Sequence, residues 1–527
     1  MRRLWYNGKI VSLDPENRQY QALGAEDGKI VFLGGSEEAA ALPWDERTDL
    51  KGALMLPGFQ DSHMHMLYYA HFSQNVQLFG VKSIPEIVRL CRERIERDHP
   101  AFLVGVGWNQ EQMEEGRMPG KADMDAISTE IPVCTIRACI HIAACNSVML
   151  ERIKALKNAP PEMLAGVDFE NGYLREAAVE FYRDIMPPAS NEEICGLVRF
   201  AQKNLNAAGI TGIQSDDLQA LPGVDPIRVA EVLKAMSARG EMTVRVYEQS
   251  QANPERFPKL LALRSAPEDH DSFFRIGCRK MLEDGSLGAK SAEMIDGYVD
   301  EPDNHGISNF PPQELYEMVR DANAARMDVA CHAIGDLALQ KLCDVFERVL
   351  RDDPWPEHRH GIVHAQTTSP VLLERMKKLG LQAYIQPIFI EEDMKIIEER
   401  VGKAHARDCY QWKTMRDMGI HTSGGSDCPV EPFDILDNLR AAVTRLSRDG
   451  SRACLPEQAL SVEEALRLFT CDAAWSARDE DVRGALEIGK LADLVVLGED
   501  LFQVPPQEFP RVPVLETVVG GKTVYRA

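Results

Sequence analysis

The residues best suited to chemistry in this chain are two histidines in Pro57-Gly58-Phe59-Gln60-Asp61-Ser62-His63-Met64-His65. His63 and His65 are two apart, so on a β-strand they point to the same face. Two imidazoles on one face can chelate one divalent ion. A His-x-His pair also arises by chance, and two satisfied surface histidines share the same spacing. The pair gains meaning from its place at the end of an expected strand. Other metal-competent side chains stand just past apolar runs. His332 closes Asp328-Val329-Ala330-Cys331, His364 closes Gly361-Ile362-Val363, and Asp427 follows Thr422-Ser423-Gly424-Gly425-Ser426. Singly, each reads as a core or capping residue. Jointly, they fall at the same ends of parallel strands, where a barrel gathers its active-site residues.

The elements that would position them alternate between strand-like and helical patterns. Eight strands are expected: Met55 to His65, Gly209 to Ser215, Met242 to Glu248, Phe274 to Glu283, Asp328 to His332, Gly361 to His364, Leu381 to Gln386 and Ile420 to Gly424. Amphipathic stretches such as Pro312 to Ala325 and Pro370 to Leu379 intervene. This alternation predicts a parallel α/β architecture, and eight strands suit a closed (β/α)8 barrel. Periodicity alone leaves an open sheet as the alternative. Both chain ends read differently. Asn7-Gly8 and Asp27-Gly28 near the start, and Gly520-Gly521 near the end, separate short β-prone runs, a hairpin pattern. Residues 1–54 and 482–527 are expected to pair into one composite β-sandwich domain, with the barrel spanning 55–481. The interval 66–208 is too long for one crossover. It carries helical patterns over Ile84 to Asp98 and Glu192 to Ala208 and a strand over Phe102 to Gly107, so it is read as containing an inserted subdomain.

The phrases LPGFQDSHMH, KMLEDGSLGAKSA, HAIGD, HAQ, GGSDCPV and GKLADLVVL span nearly the entire chain. With them the sequence resembles the amidohydrolase superfamily. It is most similar to amidohydrolase family 3, the YtcJ-like branch that includes N-substituted formamide deformylases. The resemblance implies two divalent metal ions, with zinc the first choice. It also implies that Lys280 reacts with CO2 to become a bridging carbamate; read from the residues alone, Lys280 is an ordinary strand-end lysine. His63, His65, Lys280 and Asp427 would hold one ion, and Lys280, His332 and His364 the other. A metal-activated hydroxide would be the nucleophile, with Asp427 accepting its proton and passing it to the leaving amine. His141 matches a family histidine expected to donate to the substrate carbonyl, although the family's preceding Asp-Gly is Cys139-Ile140 here. Lys290 reads as a loop lysine. Trp108-Asn109 and Trp412 are candidate pocket walls, equally well explained as packing aromatics.

The implied reaction is hydrolysis of a C–N bond in a small-molecule amide, N-acyl or N-formyl compound. Cyclic-amide opening or deamination on the same scaffold is the alternative, and Lys280 speaks against the one-metal deaminases. A non-catalytic binding homologue would be expected to have lost ligands, whereas all six positions are filled. No Gly-x-Ser-x-Gly elbow supports a serine hydrolase. The net charge of −23 disfavours nucleic acid and anionic membrane as partners. No run of about 20 apolar residues suggests a membrane span. Twelve scattered cysteines without a CxxC pair read as reduced thiols in a cytoplasmic protein. A homodimer is the default assembly.

Overall fold

The computed structural model describes residues 1–139, 141–264 and 272–527. The chain forms two compact units. The larger comprises Met1–Met66, Val198–Leu218 and Pro226–Ala527, and the smaller Leu67–Leu197 with Gln219–Asp225.

The larger unit contains an eight-stranded sheet whose strands follow one another in chain order. They are β1 (Phe59–Met64), β2 (Ile210–Ser215), β3 (Arg245–Ser250), β4 (Phe274–Leu282), β5 (Val329–Ala333), β6 (Gly361–His364), β7 (Gln382–Ile385) and β8 (Thr422–Gly424). Every neighbouring pair is parallel, and the sheet curls into a nearly closed (β/α)8 barrel. Strands buried on both faces need contiguous apolar runs rather than alternation, as in the wholly buried Gly361-Ile362-Val363 of β6. The helices between them carry their own start and stop signals. In Pro370–Leu379, Ser369 accepts the Leu372 N–H, Pro370 opens the first turn, and Gly380 ends the helix at φ 68°, the left-handed conformation glycine tolerates best.

The expected strand Met55 to His65 is two strands. Leu54–Pro57 belongs to a different sheet, and β1 begins at Phe59. Gly58 makes the break because the chain passes against Thr211 there; a Cβ would lie 2.3 Å from its methyl.

Both termini build a β-sandwich. Lys29–Gly34, Ala22–Glu26, Arg2–Tyr6 and Glu46–Asp49 form one sheet. The second interleaves the chain ends in the order Lys522–Arg526, Val514–Val519, Leu494–Leu497, Leu54–Pro57, Lys9–Val11 and Gln19–Tyr20. Trp5, Leu23, Ile30, Met55, Leu494, Val496 and Val518 share one core. The buried Glu516 carboxylate accepts from Arg3 at 2.6 Å and from the Trp5 indole at 3.1 Å.

The smaller unit is a six-stranded mixed sheet with apolar clusters on it. Its helix Ile84–Asp98 and strand Leu103–Trp108 match the expected elements closely. Among the described residues no helix is long and apolar enough to cross a membrane.

The barrel closes between β8 and β1. The Asp427 N–H donates to the His63 carbonyl at 2.8 Å, and the His65 N–H to the Cys428 carbonyl at 2.8 Å. Lower on β1, the Gln60 N–H turns to the Phe469 carbonyl at 2.7 Å, so residue 469 fills the seam where the ladder stops. Gly425 allows the close approach, since a Cβ there would sit 2.6 Å from the His63 nitrogen. Gly425→Ala should therefore destabilise the protein by about 1–3 kcal/mol in denaturant unfolding. Gly196→Ala, within the helix Asn191–Ala207 and facing open space, should be neutral or stabilise by up to about 1 kcal/mol. Equal effects at the two positions would refute a closure that depends on Gly425.

Candidate metal centre

The site stands on the barrel's packed interior. Tyr247, Cys278, Ala330 and Tyr384 belong to one buried cluster. Two residues further along the chain come Gln249, Lys280, His332 and Gln386, which the two-residue period puts on the same side. His63 and His65 arrive from the end of β1, His364 ends β6, and Asp427 follows β8.

These residues converge. The Nε2 atoms of His63 and His65 lie 3.3 and 3.0 Å from Asp427 Oδ1. One ligand atom from each of the three falls within 4.8 Å of the others, a grouping that could hold a metal ion. The imidazoles run as a chain: His65 to His63 at 5.2 Å between ring centres, His63 to His364 at 5.9 Å, and His364 to His332 at 4.5 Å. Lys280 is buried, and its charge bears on His63, His65 and His364. Its Nζ lies 3.5 Å from Asp216 Oδ2. His63, His65 and Asp427 thus meet, while Lys280, His332 and His364 stand at or near the C-terminal ends of β4, β5 and β6.

The ring nitrogens are sorted by acceptors that the sequence pattern did not single out. His63 Nδ1 meets Gln249 Oε1 at 2.6 Å, and the Gln249 amide is oriented by donating to the Ser62 carbonyl at 3.0 Å. His364 Nδ1 meets Gln386 Oε1 at 2.7 Å, and that amide donates to the Tyr384 carbonyl at 3.0 Å. His65 Nδ1 lies 3.0 Å from the Asp216 carbonyl. For His63 and His364 the acceptor holds the proton on Nδ1 and leaves the Nε2 lone pair for a cation, as outer partners of metal ligands do; His65 instead shares its Nε2 with Asp427 Oδ1 at 3.0 Å. The signal available in the sequence was spacing: Gln249 and Gln386 each stand two residues past a tyrosine on an expected strand.

Electrostatics agree with a cation site. Burial first, and the Lys280 charge second, hold His63 down at about 4. Burial, with the His332 ring beside it, pushes His364 well below the usual imidazole range. Both rings are therefore neutral at pH 7, the form that binds metal. Burial works against charge on His65 and on Asp427, but their mutual hydrogen bond overrides it. His65 rises to about 9, and Asp427 falls well below the usual carboxylate range with help from His63. Positive charge is thus already stabilised where the three ligand atoms meet. The donor set, two nitrogens and a carboxylate with fixed outer partners, fits a divalent ion. Phe389 stacks on His364 at 5.5 Å and 22°, forming an aromatic wall that the sequence pattern also left unmarked.

Asp61 ties the arrangement together. It is buried, and burial raises its carboxyl to about 7. It accepts the N–H and hydroxyl of Ser426 and the N–H of His63.

Other expected residues are placed elsewhere. His141 is exposed on the smaller unit, with Nδ1 2.9 Å from Glu176; its neighbour Ile140 lies outside the described residues. Lys290 sits in a turn and pairs with Asp300 and Glu301. Trp108 is fully buried in the smaller unit, donating to the Thr135 carbonyl at 3.0 Å. Trp412 is buried beneath the Arg445 guanidinium, 4.2 Å from the ring centre. Both tryptophans are packing residues.

Comparisons with known proteins agree with this geometry. The profile described as "Amidohydrolase family" matches residues 46–525. The putative amidohydrolase YtcJ of Bacillus subtilis (strain 168) is 31% identical, over 100% of this chain and 99% of the relative. The N-substituted formamide deformylase of Arthrobacter pascens is 23% identical, over 98% and 97%. Among solved structures, an uncharacterized metal-dependent hydrolase from Pyrococcus furiosus superposes with a TM-score of 0.80 at 29% identity, covering 95% of this chain and 99% of that one.

The outer glutamines provide the test. Gln386→Leu and Gln249→Leu should each weaken zinc binding by about 10–100-fold, measured by competition with a chromophoric chelator. Unchanged affinity in both variants would show that these amides do not orient ligands.

Proposed function

The chain belongs to the amidohydrolase family, and from that premise we propose that it is a metal-dependent hydrolase that cleaves a C–N bond in a small amide, N-acyl or N-formyl compound. The observation that carries this reading is the meeting of His63, His65 and Asp427 around one point, with Lys280, His332 and His364 beside them. His63, His65 and Asp427 would hold one divalent ion, and His332 and His364 a second. Lys280, carboxylated by CO2, would be shared between them. Lysine is the one side chain of the set that needs this reaction to become an anionic ligand. Zinc suits the nitrogen-rich donors. Bound ions would polarise the scissile carbonyl and lower the pKa of water toward neutrality.

The chain's own residues supply the remaining chemistry. Asp427, held anionic in its buried setting, is the proton acceptor and then the donor to the leaving nitrogen. Gln249 and Gln386 keep the neutral His63 and His364 imidazoles aimed, and the Asp216 carbonyl orients His65. Phe389, stacked on His364, offers a flat apolar surface beside the ligand group. The lysine within the ligand group favours amide hydrolysis over the deaminase alternative. The deformylase relative, similar over nearly its full length, supports including N-formyl compounds among the substrates. The twelve free cysteines support the cytoplasmic setting.

Metal-replete protein should hydrolyse at least one member of a panel of N-formyl, N-acyl and cyclic amides, lose that activity on chelation, and regain it with zinc and bicarbonate. Lys280→Ala should lose at least about 100-fold in kcat and recover part of it with a short carboxylic acid, which can take the place of the carbamate. Full activity in Lys280→Ala would remove the carbamate. Absence of any restorable metal-dependent turnover across the panel would sink the amidase reading.

A further inference from the structure

The segment leaving β4 and the turn leaving β5 meet at a single carboxylate. Asp284 is buried. Its Oδ1 accepts the Ile334 N–H at 3.0 Å, and its Oδ2 accepts those of Gly335 at 2.8 Å and Glu293 at 2.9 Å. Oδ1 also lies 3.2 Å from His332 Nε2. The carbonyl of the next residue, Gly285, lies 3.0 Å from the same nitrogen. Two acceptors therefore face Nε2, and a neutral imidazole must carry its proton there. His63, His65 and His364 differ in having an amide or backbone oxygen at Nδ1, with the expected ligand Asp427 at Nε2 of the first two.

The place of Asp284 in the chain matters as much as its contacts. β4 and β5 pair with Lys280 opposite Ala330 and Leu282 opposite His332. The Glu283 N–H still reaches the His332 carbonyl at 3.1 Å. The ladder stops there, one residue before Asp284. The carboxylate carries the connection past the last rung, joining the strand end that bears Lys280 to the one that bears His332.

We propose that Asp284 is a positioning residue that fixes His332 as its Nε2–H tautomer, so that this histidine, unlike the other three, presents Nδ1 to the ion it shares with Lys280 and His364. The ion-binding half of this statement rests on the metal reading above; the tautomer half does not. Asp284→Asn keeps the size but turns one acceptor into a donor. The amide cannot then satisfy three backbone N–H groups and the imidazole N–H together.

The test uses full-length protein carrying 15N-labelled histidine, metal-free and at alkaline pH, with the His332 signals identified by their loss in His332→Gln. The expected result is a proton on Nε2 of His332, with a mixture of tautomers in Asp284→Asn. Zinc titration should then show the second equivalent bound about 10–100-fold more weakly in Asp284→Asn and the first unchanged. A proton on His332 Nδ1 in the wild type overturns the proposal. So does an Asp284→Asn protein with the wild-type tautomer and wild-type affinity for both ions. A wild type that binds a single ion defeats the two-ion reading alone, and the tautomer still decides the role of Asp284. If Asp284→Asn fails to fold, Asp284→Glu takes its place: a mixture of His332 tautomers in it supports the proposal, and an Nε2 proton with wild-type affinity for both ions overturns it.

Discussion

Two of the three residues in the tightest cluster come from the first barrel strand and the third from the last, so the cluster exists only where the barrel closes. Closure at that seam is not a regular ladder. It rests on Asp61, which receives both hydrogen-bond donors of Ser426 and the N–H of His63, and on Gly425, which lets the two backbones touch. A buried carboxylate is costly unless its oxygens are satisfied. Here the donors come from the two strand ends that must be brought together. The cost of burial, visible in the raised Asp61 pKa, is thus tied to the distance between His63 and Asp427. The seam and the metal centre are one structural problem with one solution.

A second constraint acts on the imidazoles. Buried rings are driven neutral, as His63 and His364 are, and a neutral imidazole has one donor and one acceptor to satisfy. Gln249 and Gln386 satisfy the donors of these two rings. What remains is a set of lone pairs gathered near a carboxylate, which a cation stabilises better than any neutral group. The site is made by satisfying half of each histidine. His332 obeys the same rule with its nitrogens exchanged.

The sequence revealed those features that repeat or that need a rare residue type. Parallel strands buried on both faces leave contiguous apolar runs, so all eight barrel strands could be read, though β3 begins at Arg245 rather than Met242. Histidine is scarce enough that His63, His65, His332 and His364 drew attention at strand ends. The outer partners could not be read in the same way. A glutamine such as Gln386 has no composition signal, and its importance comes from which amide atom its neighbour leaves free. Asp61 and Asp284 lay inside recognisable motifs without assigned roles, because a carboxylate that accepts backbone N–H groups looks like any other acid until the backbone is folded. The Pro57-Gly58 break was hidden by apolar residues on both sides, since sandwich and barrel strands demand the same composition. Trp108 and Trp412 show the opposite difficulty: an aromatic suits a pocket wall and a core equally, and here packing prevailed.

The two ends of the barrel handle buried polarity differently, and this explains how the mouth can hold a demanding site. At the starts of the strands, Arg478 binds Asp328 at 2.6 and 3.0 Å, Arg359 binds Glu480, and Arg245 binds Asp493 at 2.8 Å. Arg245 and Asp493 are both buried, and removing one partner from such a pair is strongly destabilising, so that end is fixed. Near the opposite ends, Ser62 Oγ, Glu283 Oε2 and Gln366 Oε1 are buried without a hydrogen-bond partner among the described residues. Burial raises Glu283 to about 7. Unsatisfied polar atoms cost free energy, and a fold can carry them where the rest of the structure over-determines the backbone. The ion-paired end supplies that surplus. The C-terminal end is thereby free to keep neutral imidazoles, a buried lysine and unpartnered oxygens close together, an arrangement poor for stability and well suited to binding a cation and a polar substrate.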